Sequence, residues 1–185
     1  MHLMRIIAGT LKGRRLEAPD WPGLRPTSDK LRETLFNILA ERVVGARVLD
    51  GCAGTGAVGI EAISRGAAHV TFVDADRRAT ELIRRNLARC AVADGYAIIR
   101  ADLGADAARP PQAAFDLIVL DPPYDADPAV VARAVGEWLA PDGLLVVEYA
   151  RRTGAPAAID GLRRTREVRA GDSALGFYTR PRVKG

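Results

Sequence analysis

The sequence predicts an α/β fold in which a mostly parallel sheet of seven strands is covered by helices on both faces and closes in a C-terminal antiparallel hairpin. Three observations predict it. From Ala46 onward, short apolar runs alternate with segments of helical length, the pattern of parallel strands joined by crossover helices. The last two apolar runs are separated only by Gly171-Asp172, which leaves room for a turn and none for a helix. The chain has 185 residues, 48% of them hydrophobic, with 18 glycines and 11 prolines, which fits one compact domain with a small appendage.

The appendage comes first. Residues 5–8 and 14–17 flank a turn rich in Gly and Lys, which predicts a hairpin, and 19–26 reads as loop. Thr27 or Ser28 then caps a helix whose Leu31, Leu35, Ile38 and Leu39 fall at i, i+4, i+7 and i+8. That stripe has to be buried, so the appendage is expected to dock on the sheet. The division is therefore 1–45, a basic N-terminal hairpin and helix, and 46–185, the main domain. In the main domain the expected parallel strands are 47–50, 70–74, 97–102, 117–121 and 144–148, and the closing hairpin is 162–169 with 173–180. Helical periodicity is clearest over 77–89, where Leu82, Ile83 and Leu87 share a stripe, and over 128–139, with Val131, Val135 and Leu139. Residues 105–114, rich in Ala and Pro, read as a surface loop.

Composition excludes several classes of function. No apolar run approaches the roughly 18 residues that span a bilayer, and Gly9 interrupts the N-terminus before a signal sequence can form, so a cytoplasmic protein is expected. Cys52 and Cys90 stand 38 positions apart, with only His2 and His69 to help, so neither a disulfide framework nor a Cys/His metal site is expected. Cys52 has no base near it in sequence and is assigned to packing; the two histidines are read as uninvolved. No apolar stripe is left over for a partner copy, and a monomer is expected. The net charge of +4 is unevenly spread: residues 1–32 hold Arg5, Lys12, Arg14, Arg15, Arg25, Lys30 and Arg32 against Glu17, Asp20 and Asp29, and the remainder is neutral. A basic arm on a neutral globule suits a phosphate backbone, and charge alone fits a solvated face equally well.

Four of the five parallel strands end in a carboxylate: Asp50, Asp74, Asp102 and Asp121. One such Asp is often a helix cap, but four in register at the carboxyl ends of a parallel sheet would ring the crevice where ligands bind. After the first strand, Ala53 leads into Gly54-Thr55-Gly56-Ala57-Val58-Gly59, a GxGxxG loop, and Asp74 follows Gly54 by 20 residues, the spacing of a Rossmann-like nucleotide site. Spacing alone fits a dinucleotide. Asp50 tilts the reading, because a second negative charge beside the glycines repels a pyrophosphate and favours the cationic S-adenosylmethionine. The glycines would then let the backbone approach the methionine part, with Asp74 on the ribose hydroxyls and Asp102 on the adenine amine.

At the end of the fourth strand stands Asp121-Pro122-Pro123-Tyr124. Two prolines fix an extended loop without backbone donors, leaving carbonyls and the Asp121 carboxylate as acceptors for a planar amino group. Tyr124 can stack on the ring that bears it, holding a base extruded from its helix.

These residues resemble a known family. The tetrad 121–124 is similar to the [DNS]PP[YFW] signature of amino methyltransferases, and 48–61 to their cofactor loop. More specifically, Met4-Arg5-Ile6-Ile7-Ala8-Gly9, Lys12-Gly13-Arg14, Arg25-Pro26-Thr27, residues 29–37, residues 61–67 and Gly171-Asp172-Ser173 resemble the RsmD family of 16S rRNA guanine-N2-methyltransferases. The resemblance runs nearly end to end. It implies a Rossmann-like class I methyltransferase fold, S-adenosylmethionine as donor, and methylation of the guanine at rRNA position 966 in the assembling small subunit. Gly51-Cys52 and Thr55 depart from the pairs and residue more usual there.

On this reading Asp121 and the Pro122 carbonyl accept from the amino hydrogens of guanine. They would favour a pyramidal nitrogen in line with the S–CH3 bond and stabilise its growing positive charge. Arg5, Lys12, Arg14, Arg15, Arg25, Lys30 and Arg32 would hold RNA phosphates beside the Tyr124 loop, with Thr27 near the entrance. Glu148, ending the fifth strand, lines the rim or serves structure. The rival readings are a DNA adenine-N6 methyltransferase, which usually needs a base-reading domain for which there is no room; a protein glutamine methyltransferase, disfavoured by Asp rather than Asn at 121; an NAD oxidoreductase, for which no catalytic group is found; and a non-catalytic RNA-binding module, which would not need the glycine loop and Asp121 together.

Overall fold

The computed structural model describes residues 4–23, 28–105, 114–123 and 125–181. It contains one eight-stranded sheet in the order β3-β2-β1-β4-β5-β8-β7-β6. The parallel part comprises β1 (Arg47–Gly51), β2 (His69–Asp74), β3 (Tyr96–Arg100), β4 (Phe115–Leu120) and β5 (Leu139–Ala150). β6 (Ala158–Ile159), β7 (Leu162–Ala170) and β8 (Ser173–Thr179) add antiparallel strands beyond β5. The expected seven strands are all present; the eighth, β6, is a two-residue edge strand too short for apolar patterning to announce. The sheet runs outward in both directions from the β1/β4 pair, which is where an open parallel sheet leaves its crevice.

The strands read as continuous apolar runs because both faces are covered. Val48 and Leu49 point to opposite faces of β1, and both are fully buried. One face carries a cluster that includes Val48, Val70, Phe72, Val119, Val146 and Phe177; the other includes Leu49, Val73, Ile118, Leu145 and Tyr178.

Helices are set by their caps and stripes. In α1 (Asp29–Leu39) the Ser28 hydroxyl accepts from the Leu31 N–H at 3.1 Å, and Leu31, Leu35, Phe36 and Leu39 bury into the first cluster. Thr27, the other expected cap, lies outside the described residues. α2 (Ala57–Ser64) follows the glycine loop. α3 (Arg77–Arg89) has the bounds its periodicity predicts, with Asp76 capping the Arg78 N–H and Leu82, Ile83 and Leu87 buried.

α4 (Pro128–Gly136) is shorter than expected. Leu139 matches the helical stripe, but it opens β5 instead, opposite Phe115, and the Phe115 N–H donates to the Trp138 carbonyl at 2.7 Å. Gly136 ends the helix, and pairing with β4 draws Leu139 into the sheet. The Ala/Pro-rich loop falls largely outside the described residues.

The N-terminal segment docks as expected. Arg5 and Arg15 form an antiparallel bridge, and the turn between them packs on α2. The Ser64 carbonyl accepts from the Thr10 N–H at 2.8 Å, and its hydroxyl accepts from the Leu11 N–H at 2.9 Å. At Gly9, φ is +82° and a Cβ would lie 1.9 Å from the Ser64 carbonyl oxygen, so only glycine lets the hairpin approach this closely. Met4, Ile6 and Leu16 join the same core as the sheet.

Candidate active site

The four strand-end carboxylates lie at the same edge of the sheet as Cys52. Burial first, and then the negative charges of Asp74, Asp121, Asp50 and Asp102, push the Cys52 thiol up to about 12. A thiol held protonated there is no nucleophile, in keeping with a packing role. Cys52 itself adopts φ 57°, turning the chain sharply after β1. Neighbouring Gly51 is packed closely by leucine side chains: a Cβ would fall 2.4 Å from Leu120 Cδ2 and 2.9 Å from Leu103 Cδ1, so a larger residue requires those methyl groups to shift.

The acids occupy different settings. Asp74 ends β2; its Oδ2 accepts from the Gly54 N–H at 2.8 Å and its Oδ1 from the Asp76 N–H at 2.9 Å, so it ties the glycine loop to the adjacent strand. Burial raises its pKa while those N–H groups pull the other way. Asp102 lies two residues past β3 and is exposed, its Oδ1 accepting from the Gly104 N–H at 2.8 Å. Asp121 follows β4 and is half-buried.

Asp50 differs most from the expectation. It is fully buried, and its Oδ2 accepts from the Gly59 N–H at 2.8 Å, across to the first turn of α2. Desolvation raises its pKa to about 8, so in the ligand-free protein it is mostly neutral at pH 7. The electrostatic argument that it repels a pyrophosphate loses its force, because a buried carboxyl sheds its charge rather than project it.

In the loop, the Ala53 N–H donates to the Val73 carbonyl at 3.0 Å, and the Gly56 N–H closes a turn on the Ala53 carbonyl at 2.8 Å. Gly54 and Gly56 have φ of +55° and +77°. Gly59 brings α2 onto the sheet, since a Cβ there would lie 2.2 Å from Phe72 Cε1. The Thr55 side chain faces inward: its hydroxyl accepts from the Ala57 N–H at 3.3 Å and contacts Met4 Sδ at 3.6 Å, while its carbonyl accepts from Asn86 Nδ2 at 2.9 Å. Thr55 holds the loop from behind.

The Asp-Pro-Pro segment leaves β4 at the switch point, with the Asp121 N–H facing the Gly51 carbonyl at 3.4 Å. Pro122 is half-buried and Pro123 exposed; Tyr124 lies outside the described residues. Glu148, one residue past the register partner of Leu120, stands beside Asp121; its Oε1 accepts from the Ser173 hydroxyl at 2.6 Å, and burial raises its pKa.

The basic arm divides into surface and interior. Arg5, Lys12, Arg14, Arg15 and Lys30 are exposed; Arg25 and Thr27 lie outside the described residues. Arg32 is a correction, because its side chain is fully buried and cannot reach a phosphate. Its Nη2 donates to Asp29 Oδ1 at 2.9 Å and to the Arg5 carbonyl, and its Nε lies 3.8 Å from Glu61 Oε2. A charge count does not see this, because an arginine inside an ion-paired node reads the same in sequence as one in solvent. Lys12 and Arg14 sit at or beside the hairpin tip against the C-terminal end of α2, away from the glycine loop. Conversely, the sequence pattern does not single out Arg151 and Arg152, yet both are exposed just past the carboxyl end of β5, where Arg151 Nη1 donates to the Gly171 carbonyl of the β7/β8 turn at 3.3 Å. Their only signal is an Arg-Arg pair after a strand.

With Asp74 and Asp121 half-buried and Asp102 exposed beside the glycine loop, this edge of the sheet offers carboxylate acceptors to a ligand rich in donors. Among the described residues, no helix is long and apolar enough to cross a membrane. The family model described as conserved hypothetical protein 95 matches residues 4–179. The chain is 36% identical over 180 residues to "Ribosomal RNA small subunit methyltransferase D" of Escherichia coli (strain K12), covering 96% of this chain and 90% of that one. It is 35% identical to "Putative rRNA methyltransferase YlbH" of Bacillus subtilis (strain 168), covering 95% and 98%. Among solved structures, the "Putative methyltransferase yhhF from Escherichia coli" superposes with a TM-score of 0.83 at 35% identity, covering 97% of this chain and 98% of that chain.

Proposed function

The chain belongs to the conserved hypothetical protein 95 family, that of RsmD, and from that premise we propose that it is a small-subunit rRNA methyltransferase acting on the N2 amine of a guanine. S-adenosylmethionine is the donor, and the substrate is 16S rRNA at position 966, met in the cytoplasm within an assembling subunit. The observation that carries the reading is that Asp74 and Asp121 leave the carboxyl ends of β2 and β4 on either side of β1, with Asp74 bonded to the glycine loop that follows β1.

The donor set fits the cofactor. Asp102 is exposed and offers acceptors to an adenine amine; Asp74 lies between the loop and β2, where ribose hydroxyls would add to the backbone donors it already accepts; and Gly54 and Gly56 leave the backbone bare for the methionine part. When bound, S-adenosylmethionine supplies an electrophilic methyl group on a sulfonium. Asp121 and the Pro122 carbonyl accept from the two hydrogens of the amine. This holds the nitrogen in line and withdraws its lone pair from the ring, and the Asp121 charge offsets the positive charge that grows on nitrogen. Pro122 and Pro123 contribute no N–H that would compete for these acceptors. The exposed cations of the arm, with Arg151 and Arg152 past β5, hold phosphates of the RNA beyond the crevice.

Transfer of labelled methyl from S-adenosylmethionine to 30S subunits lacking guanine-N2 methylation, with naked rRNA and duplex DNA alongside, tests the reading. Label in N2-methylguanosine from the subunits supports it. Label in N6-methyladenine from DNA, or none despite cofactor binding, overturns the substrate. Asp121→Ala is expected to lower kcat about 100- to 1,000-fold while sparing RNA binding; an unchanged rate overturns the role of Asp121.

A further inference from the structure

The glycine loop is gripped from α3 by one buried side chain. Asn86 sits in the interior of that helix, where its residue type does little for helix formation, and it is fully buried. Its amide is bonded to backbone groups of two segments far apart in sequence: Oδ1 accepts from the Glu17 N–H at 2.7 Å, and Nδ2 donates to the Glu17 carbonyl at 3.1 Å and to the Thr55 carbonyl at 2.9 Å. Only one orientation of the amide satisfies all three, since the two carbonyls require the nitrogen and the Glu17 N–H requires the oxygen. The Thr55 carbonyl shares a peptide plane with the Gly56 N–H, and the two point in opposite directions across it. Asn86 therefore fixes the plane in which the Gly56 N–H turns back to the Ala53 carbonyl at 2.8 Å. Gly54 and Gly56, at φ +55° and +77°, give that plane little resistance of its own to turning.

We propose that Asn86 is the positioning residue of the cofactor loop: by holding the Thr55 carbonyl on the α3 side, it keeps the loop in the form that receives the methionine part of S-adenosylmethionine. The inference rests on the reading of residues 53–56 as the loop that meets that part of the cofactor. Asn86 acts through Thr55 and touches no reacting group. Cofactor affinity then depends on the bond between them, because a loop whose central peptide turns freely must be ordered at each binding event, and that ordering is subtracted from the affinity. The bonds to Glu17 aim the amide: with its oxygen and one N–H committed there, the other N–H has the Thr55 carbonyl to meet. Residue 17, at the end of the docked N-terminal segment, is thus the brace against which α3 holds the loop.

The test is calorimetric binding of S-adenosylhomocysteine to the full chain, with protease digestion of residues 4–17, cofactor KM and kcat alongside. Asn86→Ala is expected to raise the dissociation constant about 3- to 30-fold, the range that one buried acceptor left without its donor brings. Cofactor KM should rise in step while kcat at saturating cofactor stays within about threefold, as expected when binding is lost and the reacting groups are undisturbed. Asn86→Asp keeps the shape and the acceptor for the Glu17 N–H but offers a hydrogen to at most one of the two carbonyls. It is expected to weaken binding by at least about threefold, with residues 4–17 still protected. Ser64→Ala loosens the hairpin at its other end by removing the acceptor for the Leu11 N–H, and should expose residues 4–17 with the dissociation constant within about twofold of the wild type. A merely structural Asn86 would lower the folded fraction, which calorimetry reads as stoichiometry, and leave the affinity of the folded molecules unchanged. Both Asn86 variants within about twofold of the wild-type affinity, or a loss in Ser64→Ala equal to that in Asn86→Ala, overturns the inference. If Asn86→Ala does not fold, Asn86→Asp decides. Loss of binding in Asp74→Ala beside Asn86 variants that bind as wild type would sink the positioning role alone, whereas Asp74→Ala binding as wild type would sink the reading of the loop and Asp74 as the seat of the cofactor.

Discussion

Asp50 shows how a single buried carboxyl makes stability depend on pH. Unfolded, it titrates near the ordinary 3.8; folded, desolvation holds it to about 8, the Gly59 N–H only partly opposing. Between those values the native state keeps a proton that the unfolded chain releases. The contribution of Asp50 is therefore most favourable below the unfolded value, declines as pH rises, and levels off above about 8. Asp50→Asn keeps an oxygen for the Gly59 N–H and removes the titration. Measured by urea unfolding without cofactor, the wild type is expected to lose about 2–4 kcal/mol relative to Asp50→Asn between pH 5 and pH 8. Parallel curves for the two proteins would show that Asp50 is ionised in the native state. Its strand-end position places this residue at the site, but sequence does not show that burial cancels the charge, because burial depends on how closely Gly59 brings α2 down onto Phe72.

At the scale of elements, a buried node ties the N-terminal hairpin to α1 and α2, beside its bonds to Ser64 and Asn86. Glu61 of α2 is fully buried; its Oε2 accepts from the Ile7 N–H at 2.8 Å and its Oε1 from the Ala8 N–H at 3.0 Å and from Arg65 Nε at 2.8 Å, with Arg32 alongside. Glu61→Ala would strand two backbone donors and leave the buried Arg32 with only Asp29 as its anionic partner, at a cost of about 3–5 kcal/mol. It is expected to expose residues 4–17 to protease before the sheet unfolds; a melting curve and digestion pattern like the wild type would mean that the apolar contacts of Met4, Ile6 and Leu16 suffice. Elements with strong local signals were legible. The bounds of α3 match its stripe because the cap, the periodicity and the buried face agree. Two kinds of information were not legible. Leu139 suits a helix or a strand equally, and its pairing with Phe115, far away in sequence, decides between them. Arg32 and Glu61 reveal their partnership only when α1 and α2 are packed together. For the candidate site, the four strand-end acids and the glycine loop were legible from spacing, whereas the placement of Glu148 beside Asp121 needed the β4/β5 register.

For the whole molecule, the placement of cations sets the size of the partner. The hairpin starts at the glycine loop, where Met4 meets Thr55, and turns at Ser64, so its tip is one length of α2 from the crevice, about 12 Å for eight residues. A nucleotide seated at Asp121 cannot also reach Lys12 and Arg14; a folded RNA can. Arg151 and Arg152 are exposed past the carboxyl end of β5, beside the β7/β8 turn, on the same edge of the sheet as Asp121. Two groups of cations at different distances from the chemistry should separate affinity from turnover. In Lys12→Ala/Arg14→Ala the slope of log K against log salt for RNA binding is expected to flatten by about 1–2, since each phosphate contact contributes just under one. RNA KM should rise while kcat at saturating RNA stays within about twofold, because uniform binding is lost without disturbing the reacting groups. Arg151→Ala/Arg152→Ala should flatten the slope similarly and also lower kcat, because phosphates held at that edge fix the target base against Asp121. An unchanged slope in the first variant would mean that the RNA does not reach the hairpin tip, and equal loss of kcat in both would mean that the arm and that edge grip the RNA as one surface.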